Sequence, residues 1–373
     1  MYLKITNKNE NHNGYQYKDG LNVLDKEFDN NPKKSCTVGG LYFTNKEFIH
    51  KFYNYGIYLR IVELPIDDPE FRMIHDPHPH GDKWRANKII LKERYSLADI
   101  GTYEKFEIYQ LGLIWASVNN HPEIVKYVIE KGVTQAENDY ALRHASVSGH
   151  LEIVKLLIEN GADVHAENDH ALRYASCNGH LKVVKLLIEK GADIHAENDG
   201  ALRLASRTSR LEIVKLLIEN RADIYAENDD ALQWASYNGH LEIVKLLVEN
   251  GADIHAKNEY ALRKASLYGH LEIMKLLVEK GANIHAVNDQ ALQWASAKGH
   301  LEIVKLLIEK GANIHAENDC ALRCASCNDN LEIVKLLVEN GADIHAENDY
   351  ALRWASVNGH SEIVEFLKTL EKN

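Results

Sequence analysis

From about residue 110 onward, apolar and polar positions recur in one pattern every thirty residues. The copy at 168–193 shows it. Val183, Val184, Leu186, Leu187 and Ile188 give a broad apolar stripe on one side of a helix that runs from Leu181 to Lys190. Lys185 and Glu189, four residues apart, are expected as an outward ion pair. Another helix precedes this one, opened by Asp169 as its N-cap and reaching about Asn178. Gly179 suits the left-handed position that ends the first helix, and Gly191 ends the second. Ala192 to Asp199 is then expected as a short extended finger leading to the next unit. The tripeptide Ala-Leu-Arg or Ala-Leu-Gln begins at 141, 171, 201, 231, 261, 291, 321 and 351 without a slip, and a degraded copy starts near Gln110. A fixed period of this size predicts a solenoid of stacked helix pairs.

The first 95 residues lack the period. Tyr2 to Thr6 has a weak strand signal, and Gly39-Gly40-Leu41-Tyr42-Phe43-Thr44 reads as a turn into a strand. Thr44 and Glu47 form a capping-box pattern for a helix from Asn45 to Tyr55, stopped by Gly56. Ile57 to Leu64 is strand-like and ends at Pro65, 67–82 reads as loop, and Trp84 to Leu91 fits strand or helix. Ser96 with Asp99 repeats the capping-box pattern ahead of the array. The organisation expected is an α+β domain over 1–95, a connector over 96–109, and a helical array over 110–373. The segment 350–373 is its polar cap, because Ser361 and Glu365 replace the usual Leu and Lys. Ser209-Arg210 and Asp329-Asn330 stand where other units have Gly-His or a similar turn, and Arg221 replaces a helix-ending Gly. These are expected to be the softest turns.

The segment Gly-His-Leu-Glu-Ile-Val-Lys-Leu-Leu-Ile-Glu-Asn-Gly-Ala-Asp-Val-His-Ala at 149–166 resembles the ankyrin family, and the likeness extends over nine copies. It implies a mostly α fold, an ankyrin-type solenoid of about nine 30-residue repeats, and binding of proteins. Two departures stand out. The family's period is about 33 residues, and its Thr-Pro-Leu-His opening is replaced, with Arg143, Arg173, Arg203, Arg263, Arg323 and Arg353 where a finger-tying His would be. The shortened unit looks like the ankyrin proteins of giant amoeba-infecting DNA viruses.

Comparing the copies separates fixed from variable positions. Ala171, Leu172, Ala175 and Ser176 barely change, whereas positions four and seven residues along from His170 change freely, as does His170 itself. That spacing puts the three variable positions on one helix face. Tryptophan and tyrosine are common in binding hot spots, so the candidate partner-binding residues are Trp115, His144, Tyr174, Trp234, Tyr237, Tyr260, Lys264, Trp294, Tyr350 and Trp354. In the ankyrin family this face lines a concave groove. The competing account is that the rings fill that groove and bind nothing.

Composition narrows the classes. A net charge of −12 argues against a general nucleic-acid binder. Five cysteines, odd in number, imply no disulfide framework and fit a reducing compartment. The N-terminus lacks the apolar core of a signal peptide, and no run reaches the ~18 apolar residues of a membrane span. An intracellular monomer, in a host cytoplasm and not secreted, is expected, with no cofactor and no metal. Two clusters carry metal-ligating side chains, His75, His78 and His80 with Asp76 and Asp82, and Cys320, Cys324 and Cys327 on one helix face, and both read better as a solvated loop and as freely varying positions. The thirteen repeat histidines at turns and fingers read as capping groups. The segment 39–43 is similar to a strand of ADP-ribosyltransferases, which leaves an enzyme in 1–95 with the repeats as substrate receptor as one alternative, and a virion-associated structural protein as another.

Overall fold

The computed structural model describes residues 1–12, 14–31, 39–76 and 83–370. The chain divides into two compact units, Met1–Ala171 with Glu189–Ala192, and Leu172–Ile188 with Asp193–Asn373.

In the first unit the strands are β1 (Tyr2–Thr6), β2 (Asn11–His12), β3 (Tyr15–Gln16), β4 (Gly20–Val23), β5 (Leu41–Asn45), β6 (Tyr58–Glu63), β7 (Met73–His75), β8 (Trp84–Ala86) and β9 (Lys88–Ser96). Seven form one sheet in the order β4-β9-β6-β1-β5-β8-β7, and every pairing is antiparallel. Period-two alternation decides which residues face inward. Leu41, Phe43, Val62, Ala86, Ile89 and Leu91 gather with Tyr17 into one core, and Tyr2 and Trp84 pack against it.

Three local expectations need correction. The segment expected as loop contains β7, while 84–96, open between strand and helix, forms two strands. The helix expected from Asn45 is a 3₁₀ helix that starts later, at Ile49–Tyr55, because Thr44 is committed to β5 and Asn45 Oδ1 accepts from Phe48 N instead. Ahead of helix Ile100–Phe106 the N-cap is Asp99, whose side chain accepts from Gly101 N at 3.0 Å.

Beyond β9, helices alone follow among the described residues. They come in pairs: Tyr109–Asn119 with Pro122–Glu130 and Gln135–Ser148 with Leu151–Glu159 in the first unit, then the same pairing through Ala346–Asn358 and Ser361–Leu370 in the second. Within the second unit, consecutive first helices pack side by side. Their fixed residues explain why: Ala231, Leu232, Ala235 and Ser236 are almost fully buried, as are Ala261, Leu262, Ala265 and Ser266.

The finger is a turn, not the extended segment expected. Glu197, Asn198 and Asp199 all lie near φ 54, and the same three positions are left-handed in each later repeat. Left-handed backbone costs about 1–2 kcal/mol per non-glycine residue. Two sets of bonds offset it. Arg203 Nη1 donates to Glu197 O at 3.0 Å, Arg323 Nη2 to Glu317 O at 2.7 Å, and Arg353 Nη2 to Glu347 O at 3.0 Å, so the arginines do tie the finger. The buried acid at its end accepts a backbone N–H from the next finger: Asp199 from Asp223 at 2.7 Å, Asp229 from Asp253 at 2.8 Å, and Asp319 from Asp343 at 2.9 Å. This corrects the N-cap role given to the Asp169 type of residue, which in these repeats links to the following unit. The finger histidine joins in, as His195 Nδ1 lies 3.1 Å from Asp199 Oδ1.

Lysines of the second helices pair backward, not forward. Lys215 with Glu212 and Lys245 with Glu242 are 2.8 Å ion pairs at i,i−3. Lys185 has Lys182 at that position.

Turn histidines bond to the preceding repeat, with His240 Nε2 at 3.1 Å from Arg207 O and His270 Nε2 at 3.0 Å from Tyr237 O. The two irregular turns keep this link by other means: Arg210 Nε donates to Cys177 O at 3.1 Å and Asn330 Nδ2 to Ser296 O at 2.9 Å. Their cost lies in the backbone, with Ser209 at φ 64, Asp329 at φ 61 and Arg221 at φ 68. Ser209→Gly and Arg221→Gly should therefore each raise stability by about 1 kcal/mol. Chemical denaturation would read this as a higher midpoint at an unchanged slope, and an unmoved midpoint would refute it.

Candidate functional site

The variable positions of the second unit carry a ladder of rings and cations. Trp234 and Tyr237 share one helix with ring centroids 5.3 Å apart, and Arg207 of the preceding repeat stands 5.1 Å over Trp234. Tyr268 packs on Tyr237 at 4.4 Å, and its hydroxyl donates to the Tyr237 oxygen at 3.0 Å. One repeat on, the Lys264 ammonium sits 5.0 Å from the Tyr260 ring and 4.8 Å from Trp294, so it bridges two repeats. Further along, Arg323 lies 5.0 Å over Tyr350, which leans on Trp354 at 5.7 Å. Cation–π contacts of this partly exposed kind contribute about 0.5–1 kcal/mol each. They hold the flat side chains in fixed attitudes before anything binds. Tyr174 and Trp354 are exposed, and Trp234, Tyr237, Tyr260, Lys264, Trp294 and Tyr350 are half-buried.

Two candidates leave the ladder. Trp115 is only 2% exposed, its Nε1 donates to Gly56 O at 2.9 Å, and it stacks on His121. The position is the same as that of Trp234, but the 3₁₀ segment covers it, so this ring is core and presents no contact surface. His144 is half-buried between Tyr53 at 5.2 Å and Tyr140 at 4.5 Å. Burial, helped by Arg143 and His170, pulls its imidazole down to about 4.

Tyr268 and Tyr225, 43% and 55% exposed, were not anticipated. Tyr268 lies one position past the variable face, and Tyr225 replaces a finger histidine. The available signal was the change of residue type against the other copies.

The chemical clusters resolve differently. Asp76 is fully buried against Arg85 at 3.2 Å and Lys83 at 3.9 Å, and the His75 ring packs on Trp84. His78, His80 and Asp82 lie outside the described residues. Cys320 and Cys324 bring their sulfurs to 3.5 Å, and the Cys324 thiol draws Cys320 down to about 7. Among the described residues no group of three or more potential ligands converges on a metal position. Gly40 has a packing reason, since an added Cβ would meet Arg85 Cβ at 2.8 Å. No helix among the described residues is long and apolar enough to cross a membrane.

Helix pairs of this geometry, stacked at a constant interval with variable rings on one face, define a repeat solenoid of the recognition type. Ankyrin repeats match at residues 113–198, 172–258, 255–318 and 315–373, and the chain belongs to the ankyrin repeat family. It is similar to ankyrin repeat protein R868 of Acanthamoeba polyphaga mimivirus, 48% identical over 139 residues, which is 36% of this chain and 68% of that protein. Ankyrin repeat protein R896 of the same virus is 37% identical over 145 residues, covering 37% of this chain and 43% of that protein. Uncharacterized protein R869 is 46% identical over 104 residues, 28% and 73% of the two chains.

Proposed function

We propose that this is a non-enzymatic viral adaptor that holds a protein partner on the ladder of its second unit, acting in the host cytoplasm as a monomer. One observation carries the reading: two braced groups, Arg207 with Trp234, Tyr237 and Tyr268, and Tyr260 with Lys264 and Trp294, each span neighbouring repeats at the variable positions. Aromatic side chains already fixed in place lose little conformational entropy on binding. The viral assignment is supported by the relatives, all three of which are mimivirus proteins. The ladder residues proposed for contact are Tyr174, Trp234, Tyr237, Tyr260, Lys264, Trp294, Tyr350 and Trp354.

The test is affinity capture from infected-amoeba lysate with the intact chain and with a Trp234→Ala, Trp294→Ala, Trp354→Ala variant whose helix content is unchanged. A partner held by the intact chain should fall at least tenfold with the variant, because three hot-spot rings are worth more than 1.4 kcal/mol together. Equal recovery by both would overturn the assignment of the surface.

A further inference from the structure

The first unit holds a pocket that the recognition role does not use. The register of β1 with β5 stops after Tyr2–Asn45 and Leu3–Thr44. Beyond the last pair the strands leave a cavity of about 60 Å³, lined by Lys4 and Ile5 from β1, Tyr42 and Phe43 from β5, and by His12 and Lys83. Phe52 and Tyr55 of the 3₁₀ helix close its apolar side. A space of that size holds a few water molecules or a small organic molecule.

Lys4 is the unusual residue of this lining. It is 5% exposed, its ammonium reaches across the gap to Tyr42 O at 2.8 Å, and it sits 4.4 Å over the Tyr17 ring. Among the described residues no carboxylate pairs with it. The cation facing it across β6 is Arg60, which is itself paired with Glu10 and Asp19. His12, Tyr17, Tyr42, Tyr55 and Lys83 complete the titratable surroundings, with the Lys83 ammonium 4.8 Å from the Tyr42 ring and 3.9 Å from the Asp76 carboxylate. A buried amine costs free energy in its charged form, and a second ammonium nearby adds to that cost. Desolvation, then Lys83, bring Lys4 down to about 7. An amine desolvated in an apolar pocket beside another cation is the environment that makes lysine a nucleophile.

We propose that Lys4 is a reactive amine and that the pocket takes a small aldehyde with an apolar body, held as an imine on Lys4 Nζ. The free amine adds its lone pair to the carbonyl carbon, and the carbonyl oxygen takes a proton to give a carbinolamine. Loss of water then leaves the C=N bond, so one amine and one aldehyde give one imine and one water, with no change of oxidation state. The apolar walls of Leu3, Ile5, Ile49 and Phe52 suit a short aliphatic chain. His12, held at about 4 mainly by burial, is neutral at pH 7 and lines the pocket as a base.

The test uses the full chain with propionaldehyde and cyanoborohydride, which traps an imine as a stable secondary amine, read by peptide mass mapping across pH 5–10. An amine near 7 is about half unprotonated at neutral pH, against roughly one part in a few thousand for an ordinary lysine. Lys4 should therefore be labelled at least tenfold faster than exposed lysines at pH 7, with a midpoint near 7. In Lys83→Met that midpoint should rise, because one neighbouring charge is gone. Labelling of Lys4 no faster than that of surface lysines, or a midpoint in the ordinary lysine range in the unaltered protein, would overturn the proposal. The unaltered protein decides the matter even if the Lys83 variant does not fold.

Discussion

Gly56→Ala is expected to unfold the first unit or bring it to the edge of unfolding. Gly56 is extended, so its conformation suits any residue, and the difficulty is space. An alanine Cβ would lie inside van der Waals contact of the Thr6 carbonyl and 2.5 Å from Asn7 N. Both are backbone atoms of the segment leaving β1, the central strand, and cannot move aside as a flexible side chain would. The same Thr6 oxygen accepts from Ile57 N at 3.0 Å, and the Gly56 oxygen accepts from the Trp115 indole. Forcing the strands apart would thus break a backbone bond and unseat a fully buried tryptophan in one step. Overpacking alone costs about 1–3 kcal/mol, and a lost buried bond adds about 1 kcal/mol, so a loss of about 3 kcal/mol or more is expected. Trp115 fluorescence during urea unfolding would measure it. Gly101→Ala is the control, because its Cβ would meet only the Asp99 side chain, nearest at an ordinary 3.4 Å. A Gly56→Ala protein within 1 kcal/mol of the parent would disprove the account.

Mild acid should separate the two units. His12 and His144 are each held at about 4 in the folded chain, against 6.5 in the unfolded one, in both cases chiefly by burial. The unfolded chain therefore binds protons first as pH falls, and stability of the first unit is lost progressively between pH 6.5 and 4. For His144 a shift of that size corresponds at full burial to about 3 kcal/mol, which solvent screening of this part-exposed ring lowers to about 2 kcal/mol; His12 is more exposed and contributes less. The second unit has the opposite sign. His255 is raised by the Glu259 carboxylate beside it, so its contribution is present below 6.5 and disappears as pH rises through the raised folded value. Asp229 is raised by burial, so the cost of keeping it ionised is relieved on acidification. Hydrogen exchange at pH 7.5 and pH 4.5, corrected for intrinsic rates, should show β1, β5 and helix Tyr109–Asn119 losing protection while helices from Ala226 to Glu309 keep theirs. Protection retained in the first unit, or lost equally in both, would show the assignment of these imidazoles to be wrong.

Much of this architecture was legible in the residues, for a physical reason: thirty-residue self-similarity fixes where each apolar stripe and each turn must fall. Gly149, Gly269 and Gly359 occupy the left-handed positions expected of them. The Asp169 type of residue was misread because a short acid ahead of a helix has two uses. It can cap its own first turn or, as here, reach a backbone donor in the next repeat, and sequence spacing alone does not separate these. Trp115 was misread because internal comparison assumes equal neighbours. The first repeat has a 3₁₀ helix and a sheet beside it where later repeats have another copy of themselves. The β1–β5 pocket was invisible, since it depends on where a strand register ends.

The forward bonds of the fingers carry one more consequence. Asp199 to Asp223, Asp229 to Asp253, Asp289 to Asn313 and Asp319 to Asp343 all span the same 24 positions. These four donors are thus interchangeable with one another, and so are these four acceptors, whereas Glu259 at the same position bonds His255 instead. A gene that loses or duplicates one whole thirty-residue stretch between these repeats by unequal recombination would rejoin a matched donor to a matched acceptor. Such a coding sequence can change length in single steps, bringing new rings beside old ones without first passing through a misfolded product.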